Sequence, residues 1–254
     1  MKAMANIPDF IIGGAPRSGT TWFCHALDKH PGIGMAKPFI PEPKFFHRDE
    51  LYAKGMDYYR ETWFPDPDPA CIYGEKGSYY LENPLCARRI HDNVPWVKLL
   101  FTLRDPVDRA FSNYVWSRMN GHEDQDFETA LDLEASRERD LPPSLRLVHP
   151  NAYFSRGLYA KLLAPYFALF PAERILCLRF EDLRDTPESV LARVHAFLGV
   201  APRGEDARDL GRINPSRNTD VPPVGEAVLE RLRARYAEPN RELAALLGPD
   251  FQIW

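Results

Sequence analysis

Phe10-Ile11-Ile12-Gly13-Gly14-Ala15-Pro16-Arg17-Ser18-Gly19-Thr20-Thr21-Trp22-Phe23 is the stretch on which the fold turns. A short apolar run ends in two glycines. Beyond the turn that follows, Trp22, Phe23, Ala26 and Leu27 recur at helical spacing, which predicts a strand over 10–14 and a helix over 20–29. A strand, a loop and a helix in that order aim backbone N–H groups and the positive end of a helix at the loop, and that is how an anion site is built.

Working outward, Trp96 to Leu103 (WVKLLFTL) reads as a second buried strand, stopped by Asp105-Pro106. Val107 to Met119 then reads as a helix, with Asp105 as its N-cap and Pro106 as its first residue. Arg174 to Phe180 predicts a third strand between helical stretches at 158–170 and 188–198, and Ala70 to Gly74 a short fourth. Strands alternating with helices imply right-handed crossovers and a sheet covered on both faces. The expected class is α/β: a P-loop-containing three-layer fold with a central parallel sheet flanked by helices. At 254 residues, 44% hydrophobic and 27% charged, the chain fits one domain over 1–254. Two stretches read as irregular, Gly121 to Asn151 and Gly204 to Val224, both proline-bearing and long enough to suggest functional loops.

A net charge of −4 argues against nucleic acid as a partner, because general polyanion binding draws on a cationic excess. Any anion site must therefore be local. Cys24, Cys71, Cys86 and Cys177 are scattered, without CxxC pairs or a His/Cys cluster at ligand spacing, so reduced thiols and no metal are expected. The first ten residues lack the apolar run of a signal peptide, and no stretch reaches the roughly 20 apolar residues that cross a bilayer. These features lead to the expectation of no membrane span and a cytoplasmic location.

Gly14-Ala15-Pro16-Arg17-Ser18-Gly19-Thr20-Thr21 has the GxxxxG spacing of a Walker A loop, yet Thr20 stands where the lysine that reaches a triphosphate belongs. The cation has moved to Arg17. In this form the run Ala15 to Trp22 resembles the 5′-phosphosulfate-binding loop of sulfotransferases that use 3′-phosphoadenosine 5′-phosphosulfate (PAPS), many of which carry lysine at the position of Arg17. The resemblance assigns Arg17, Ser18, Gly19, Thr20, Thr21 and Trp22 to the donor. A glycine-rich turn in an unrelated α/β protein is the competing reading.

A second motif agrees. Leu103-Arg104-Asp105-Pro106-Val107-Asp108-Arg109-Ala110-Phe111-Ser112 resembles the family's 3′-phosphate motif, which implies that Arg104 and Ser112 hold the ribose 3′-phosphate. Arg104 would stand at the carboxyl end of a parallel strand, where open α/β sheets bind ligands. Ser112 lies about two helical turns beyond the N-cap. A local ion pair and an ordinary polar helix face are the alternatives. Arg156-Gly157-Leu158-Tyr159-Ala160, Phe180-Glu181-Asp182-Leu183, Tyr236-Ala237-Glu238-Pro239-Asn240 and the closing Phe251-Gln252-Ile253-Trp254 are similar to the heparan-sulfate-type branch in the same order. In that branch a Lys-Gly-Arg loop closes over the nucleotide; the counterpart here is Asn214 to Asn218, making Arg217 a 3′-phosphate candidate or a solvated loop arginine.

Sulfuryl transfer requires an in-line nucleophile, a base for its proton and positive charge for the leaving phosphate. In Pro41-Glu42-Pro43-Lys44-Phe45-Phe46-His47, Glu42 precedes a Phe-Phe pair, as the catalytic glutamate does in the heparan-sulfate branch. His47 is the competing base, and a surface turn is the competing reading for Glu42. Glu75-Lys76-Gly77-Ser78 resembles the branch's Glu-Lys-Thr/Ser segment, which implies that Lys76 stabilises the transferring group; a salt bridge to Glu75 or Glu42 is the alternative. Arg17 would stabilise the leaving phosphate. The resemblance implies a PAPS-dependent sulfotransferase acting on a hydroxyl or amine of a carbohydrate or small molecule. The other readings are a small-molecule P-loop kinase and a non-catalytic nucleotide-binding module.

Overall fold

A computed structural model gives the fold of residues 7–203 and 224–254. The chain divides into two compact units, the first built from residues up to Leu103 together with those from Ala164 to 203, the second from Arg104–Leu163 and 224–254.

The first unit holds one five-stranded sheet: β1 (Phe10–Gly14), β2 (Ile33–Met35), β3 (Ile72–Lys76), β4 (Lys98–Leu103) and β5 (Ile175–Arg179). The order across it is β2-β3-β1-β4-β5, and every neighbouring pair is parallel. From β1 the chain builds β2 and β3 on one side and then crosses to β4 on the other, so the carboxyl ends of β1 and β4 form the switch point where α/β sheets open a crevice. In β1–β4 pairing the register slips between Ile12 and Gly14, a bulge at Gly13. A Cβ there would come within 2.5 Å of the Phe101 ring, so only glycine lets the strand approach at this point.

Alternation along the strands makes two apolar faces. Phe10, Ile12, Leu100, Leu176 and Leu178 form one core with α1 (Thr20–Asp28) and with Val190, Leu191, Val194 and Leu198 of α9 (Pro187–Leu198). Phe101 points the other way, where its ring meets Tyr166 of α7 (Tyr159–Leu169) at 4.9 Å. Between β2 and β3 lie the short helices α2 (Asp49–Tyr52) and α3 (Gly55–Trp63). Between β3 and β4 lies α4 (Pro84–Asn93), started by Asn83, which caps the Leu85 amide, and by a proline at its first position. α8 (Phe180–Asp185) follows β5 directly.

The second unit packs α5 (Pro106–Met119), α6 (Phe127–Arg139) and α10 (Glu226–Leu247) around Val107, Tyr114, Phe127, Leu131, Tyr153, Leu232 and Tyr236. α6 corrects the reading of 121–151 as irregular. Asp126 caps the Thr129 amide at 2.9 Å, and Phe127, Ala130, Leu131 and Glu134 form its buried stripe, a helical period that the surrounding charged residues hide. The other irregular stretch, 204–224, lies almost wholly outside the described residues.

The remaining expectations differ from the structure at element ends. The strand read at 70–74 runs over Ile72–Lys76, which puts Glu75 and Lys76 at its carboxyl end. Phe180 begins a helix and does not extend β5. All four cysteines are free; burial pushes the thiols of Cys24 and Cys177 up to about 12, which keeps them protonated and unreactive. Among the described residues, no helix is long and apolar enough to cross a membrane.

Candidate active site

Parallel strands bring their carboxyl ends to one edge of a sheet, and three of the chemistry-bearing residues of the first unit sit there. Arg17 follows β1, Glu42 follows β2 and Lys76 ends β3.

In the first unit, β1 runs into a tight turn over 16–19 and then into α1. Arg17 takes φ +68° and Gly19 φ +79°, both in the left-handed region. A Cβ on Gly19 would also approach the Phe180 ring to 2.8 Å, so that position combines the conformation and the space that only glycine meets. No side chain caps α1 and its first turn carries no acid. The leading amides, those of Thr20, Thr21 and Trp22, thus have no partner within the helix, and its positive end is left for an anion. Ser18 is fully buried in the turn, and its Oγ has no hydrogen-bond partner among the described residues. A buried hydroxyl without a partner is costly unless a ligand supplies one, so the cradle fits a phosphate or sulfate group. Arg17 is half-buried, and Trp22 packs against the core beside α1.

Four of the sequence-predicted residues are joined by hydrogen bonds. Glu42 Oε2 accepts from the Ser78 amide at 2.8 Å, and Oε1 accepts from the Ser78 hydroxyl at 2.8 Å. The Lys76 ammonium lies 3.1 Å from Glu42 Oε1 and donates to Thr21 Oγ1 at 3.1 Å. Thr20 Oγ1 stands 3.0 Å from Ser78 Oγ. Since the Ser78 proton is given to Glu42, the Thr20 hydroxyl is the donor of that pair. Glu42 is therefore tied to the start of α1 by two routes, Thr20–Ser78 and Thr21–Lys76. The pair is largely withdrawn from water, with side-chain exposures of 4% for Lys76 and 14% for Glu42. Three protein donors occupy three of a carboxylate's roughly four acceptor positions, which leaves capacity for one more hydrogen. The Glu42–Lys76 ion pair expected as the alternative reading of Lys76 is present, and it is what sets the lysine between carboxylate and loop.

Ser78 is the member that the sequence did not single out. It lies two residues beyond Lys76, and its partners Glu42 and Thr20 are 36 and 58 residues away in the chain, so no local pattern marks it. His47 has other neighbours: it is buried, with Nδ1 3.8 Å from Cys86 Sγ. Glu75 is fully buried, and removal from water raises its carboxyl to about 8, an effect that the Tyr59 and Tyr80 hydroxyls beside it offset only in part.

In the second unit, Asp105 caps α5 as expected, accepting from the amides of Val107 at 2.8 Å and Asp108 at 3.1 Å, and Pro106 opens the helix. The Tyr159 hydroxyl donates to the Arg104 carbonyl at 2.8 Å and fixes the backbone just before the cap. The Arg104 guanidinium stands 3.9 Å from Asp108, a loose contact that a dianion can displace. Ser112 is buried on α5. A cavity of about 470 Å³ in this unit is lined by Asp105, Arg233, Tyr236, Asn240, Arg241 and Trp254 among others, and neither Arg104 nor Ser112 lines it. Arg217 lies outside the described residues.

The family described as "Sulfotransferase domain" matches residues 7–212. Mouse heparan sulfate glucosamine 3-O-sulfotransferase 6 is 30% identical, over 96% of this chain and 73% of its own length. Mouse bifunctional heparan sulfate N-deacetylase/N-sulfotransferase 3 is 29% identical over 97% of this chain and 30% of its own, so the chain spans about a third of that relative. The crystal structure of a sulfotransferase from Alicyclobacillus acidocaldarius superposes with a TM-score of 0.77 at 28% identity, covering 96% of this chain and 97% of the other.

Proposed function

The chain belongs to the sulfotransferase domain family, and from that premise we propose that it transfers the sulfuryl group of PAPS to a hydroxyl or amine of a carbohydrate or small-molecule acceptor. The observation that carries the reading is the hydrogen-bonded path from Glu42 through Ser78 and Lys76 to Thr20 and Thr21. It joins a base to an anion cradle, and a nucleotide-binding module without chemistry has no use for that link. A kinase is disfavoured by the missing Walker lysine, replaced here by Thr20.

In this proposal the Gly14–Thr21 turn, with Ser18 Oγ, Arg17 and the α1 amides, holds the 5′-phosphosulfate, while Arg104 and Ser112 hold the 3′-phosphate. The whole chain acts as one sulfotransferase domain, and no metal is assigned a role. The donor supplies an activated sulfur with a phosphate leaving group. Glu42 accepts the proton of the acceptor hydroxyl as its oxygen bonds to sulfur and the bond from sulfur to the phosphate oxygen breaks. Arg17 and the α1 amides take up the charge that appears on that phosphate. Lys76, two of whose three N–H groups serve Glu42 and Thr21, directs the third at the transferring group.

The test is single and paired. Glu42→Gln keeps the shape and most of the hydrogen bonds, so affinity for 3′,5′-adenosine bisphosphate (PAP) stays within about threefold of wild type while kcat falls about 10²- to 10⁴-fold. Turnover retained by the variant at wild-type rate would remove Glu42 from the role of base.

A further inference from the structure

Glu42 and Ser78 arrive on separate segments that rest on one aromatic ring. Gly77 follows β3, and its amide donates to the Ile12 carbonyl of β1 at 2.9 Å. A Cβ on Gly77 would come within 2.3 Å of the Tyr80 ring, so glycine is what lets that ring close over the chain beside Ser78. Tyr80 is itself fully buried: its amide donates to the Gly77 carbonyl at 2.9 Å, and its carbonyl accepts from the Tyr166 hydroxyl at 2.6 Å. Phe46, four residues beyond Glu42, is also fully buried and meets the Tyr80 ring edge-on at 5.8 Å. A carboxylate and a hydroxyl carried on such supports keep the partners they have.

The two oxygens of Glu42 are served unequally. Oε1 accepts from the Ser78 hydroxyl at 2.8 Å and has the Lys76 ammonium at 3.1 Å. Oε2 accepts from the Ser78 amide at 2.8 Å, its one hydrogen bond among the described residues. Each carboxylate oxygen has two lone pairs, so Oε1 is filled and Oε2 keeps one position open. The ammonium beside Oε1 also opposes the arrival of a proton there. Ser78 fixes which oxygen is which, because it is the residue that binds both, one through its amide and the other through its side chain. Its hydroxyl is oriented in turn by Thr20, whose Oγ1 donates to it at 3.0 Å and leaves the Ser78 proton for Glu42.

We infer that Ser78 is the positioning residue of the base, and that by holding both oxygens it leaves Oε2 as the atom that takes the acceptor's proton; this rests on the sulfuryl-transfer reading above. As the acceptor oxygen bonds to sulfur, its proton passes to Oε2, while Oε1 stays bound to Ser78 and Lys76.

The experiment reads the carboxylate directly and needs no knowledge of the natural acceptor. With PAP bound, the infrared bands of Glu42 are isolated as the difference between each protein and its Glu42→Gln counterpart. The separation of the antisymmetric and symmetric stretches is wide where one oxygen is more heavily hydrogen-bonded than the other. Ser78→Ala removes a donor from Oε1, makes the two oxygens more nearly equal and narrows the separation. Lys76→Met narrows it too, and decides the matter if Ser78→Ala does not bind PAP. In parallel, PAPS turnover is measured with phenol, methyl β-glucoside and glucosamine as probe acceptors. Ser78→Ala lowers kcat about tenfold or more, with acceptor KM and PAP affinity within about threefold of wild type. A separation that neither variant changes, or that widens, overturns the assignment of Oε2. A kcat that Ser78→Ala leaves intact, or a loss confined to KM, overturns the positioning role of Ser78. If PAP binds and no probe turns over, the bands alone decide. Failure of the wild type to bind PAP defeats the sulfuryl-transfer reading itself.

Discussion

The region around Glu42 and the start of α5, the two places to which the proposal assigns chemistry and 3′-phosphate binding, are built in opposite ways. Around Glu42, contacts join residues 36 and 58 positions apart, and each polar group is held by another from a different loop or helix. At α5, the Asp105 cap spans two and three residues and the Arg104–Asp108 contact is one helical turn long. One site is wired through tertiary structure and the other is spelled almost entirely in a ten-residue motif. A group that must present a base and a cation in fixed geometry gains from rigid long-range support. A group that must only grip a dianion needs a guanidinium, a hydroxyl and a helix that starts in the right place.

That difference sets what could be read beforehand. The β1–turn–α1 unit, the Asp105 cap with Pro106, β5 and α9 were all legible, because apolar period and cap chemistry act within a few residues. Glu42 and Lys76 were reached through resemblance, with their ion pair as the alternative reading of Lys76, but the part played by Ser78 was not, since Thr20, Glu42 and Ser78 meet only when three strand ends come together. β2 escaped notice because three residues, Ile33-Gly34-Met35, carry too little pattern. α6 was obscured by the acids and arginines on its solvent side.

Predictions can sharpen the contrast. The largest concerns Glu75, on the strand that ends in Lys76. Its carboxyl is raised to about 8 by burial, from an ordinary 4.5. The unfolded chain ionises this group above about 4.5 while the folded protein keeps it protonated up to about 8, so the folded state binds the extra proton in between. Stability therefore falls as pH rises from about 4.5 to 8 and levels off above, by a few kcal/mol in total at about 1.4 kcal/mol per unit. Urea unfolding at pH 5.5 and 8.5 should show that slope in the wild type and a reduced one in Glu75→Gln; identical slopes would mean that the acid is not held neutral.

A smaller effect separates the locally built region. Asp105→Ala removes the α5 cap and costs about 1 kcal/mol of stability. Because Arg104 and Ser112 flank that cap, affinity for PAP falls by a fewfold while affinity for 5′-AMP is unchanged. A loss of both affinities together would show that α5 supports more than the 3′-phosphate.

The account depends most on one claim: a bisphosphorylated nucleotide is held at its 5′ end by the Arg17 turn with the α1 amides, and at its 3′ end by Arg104 with Ser112. Calorimetric titration of PAP and 5′-AMP into wild type and Arg104→Ala measures this directly. The expected result is PAP binding roughly a hundredfold tighter than AMP in the wild type, with most of that difference lost in the variant and AMP affinity unchanged. Equal affinities for the two nucleotides in the wild type would contradict it.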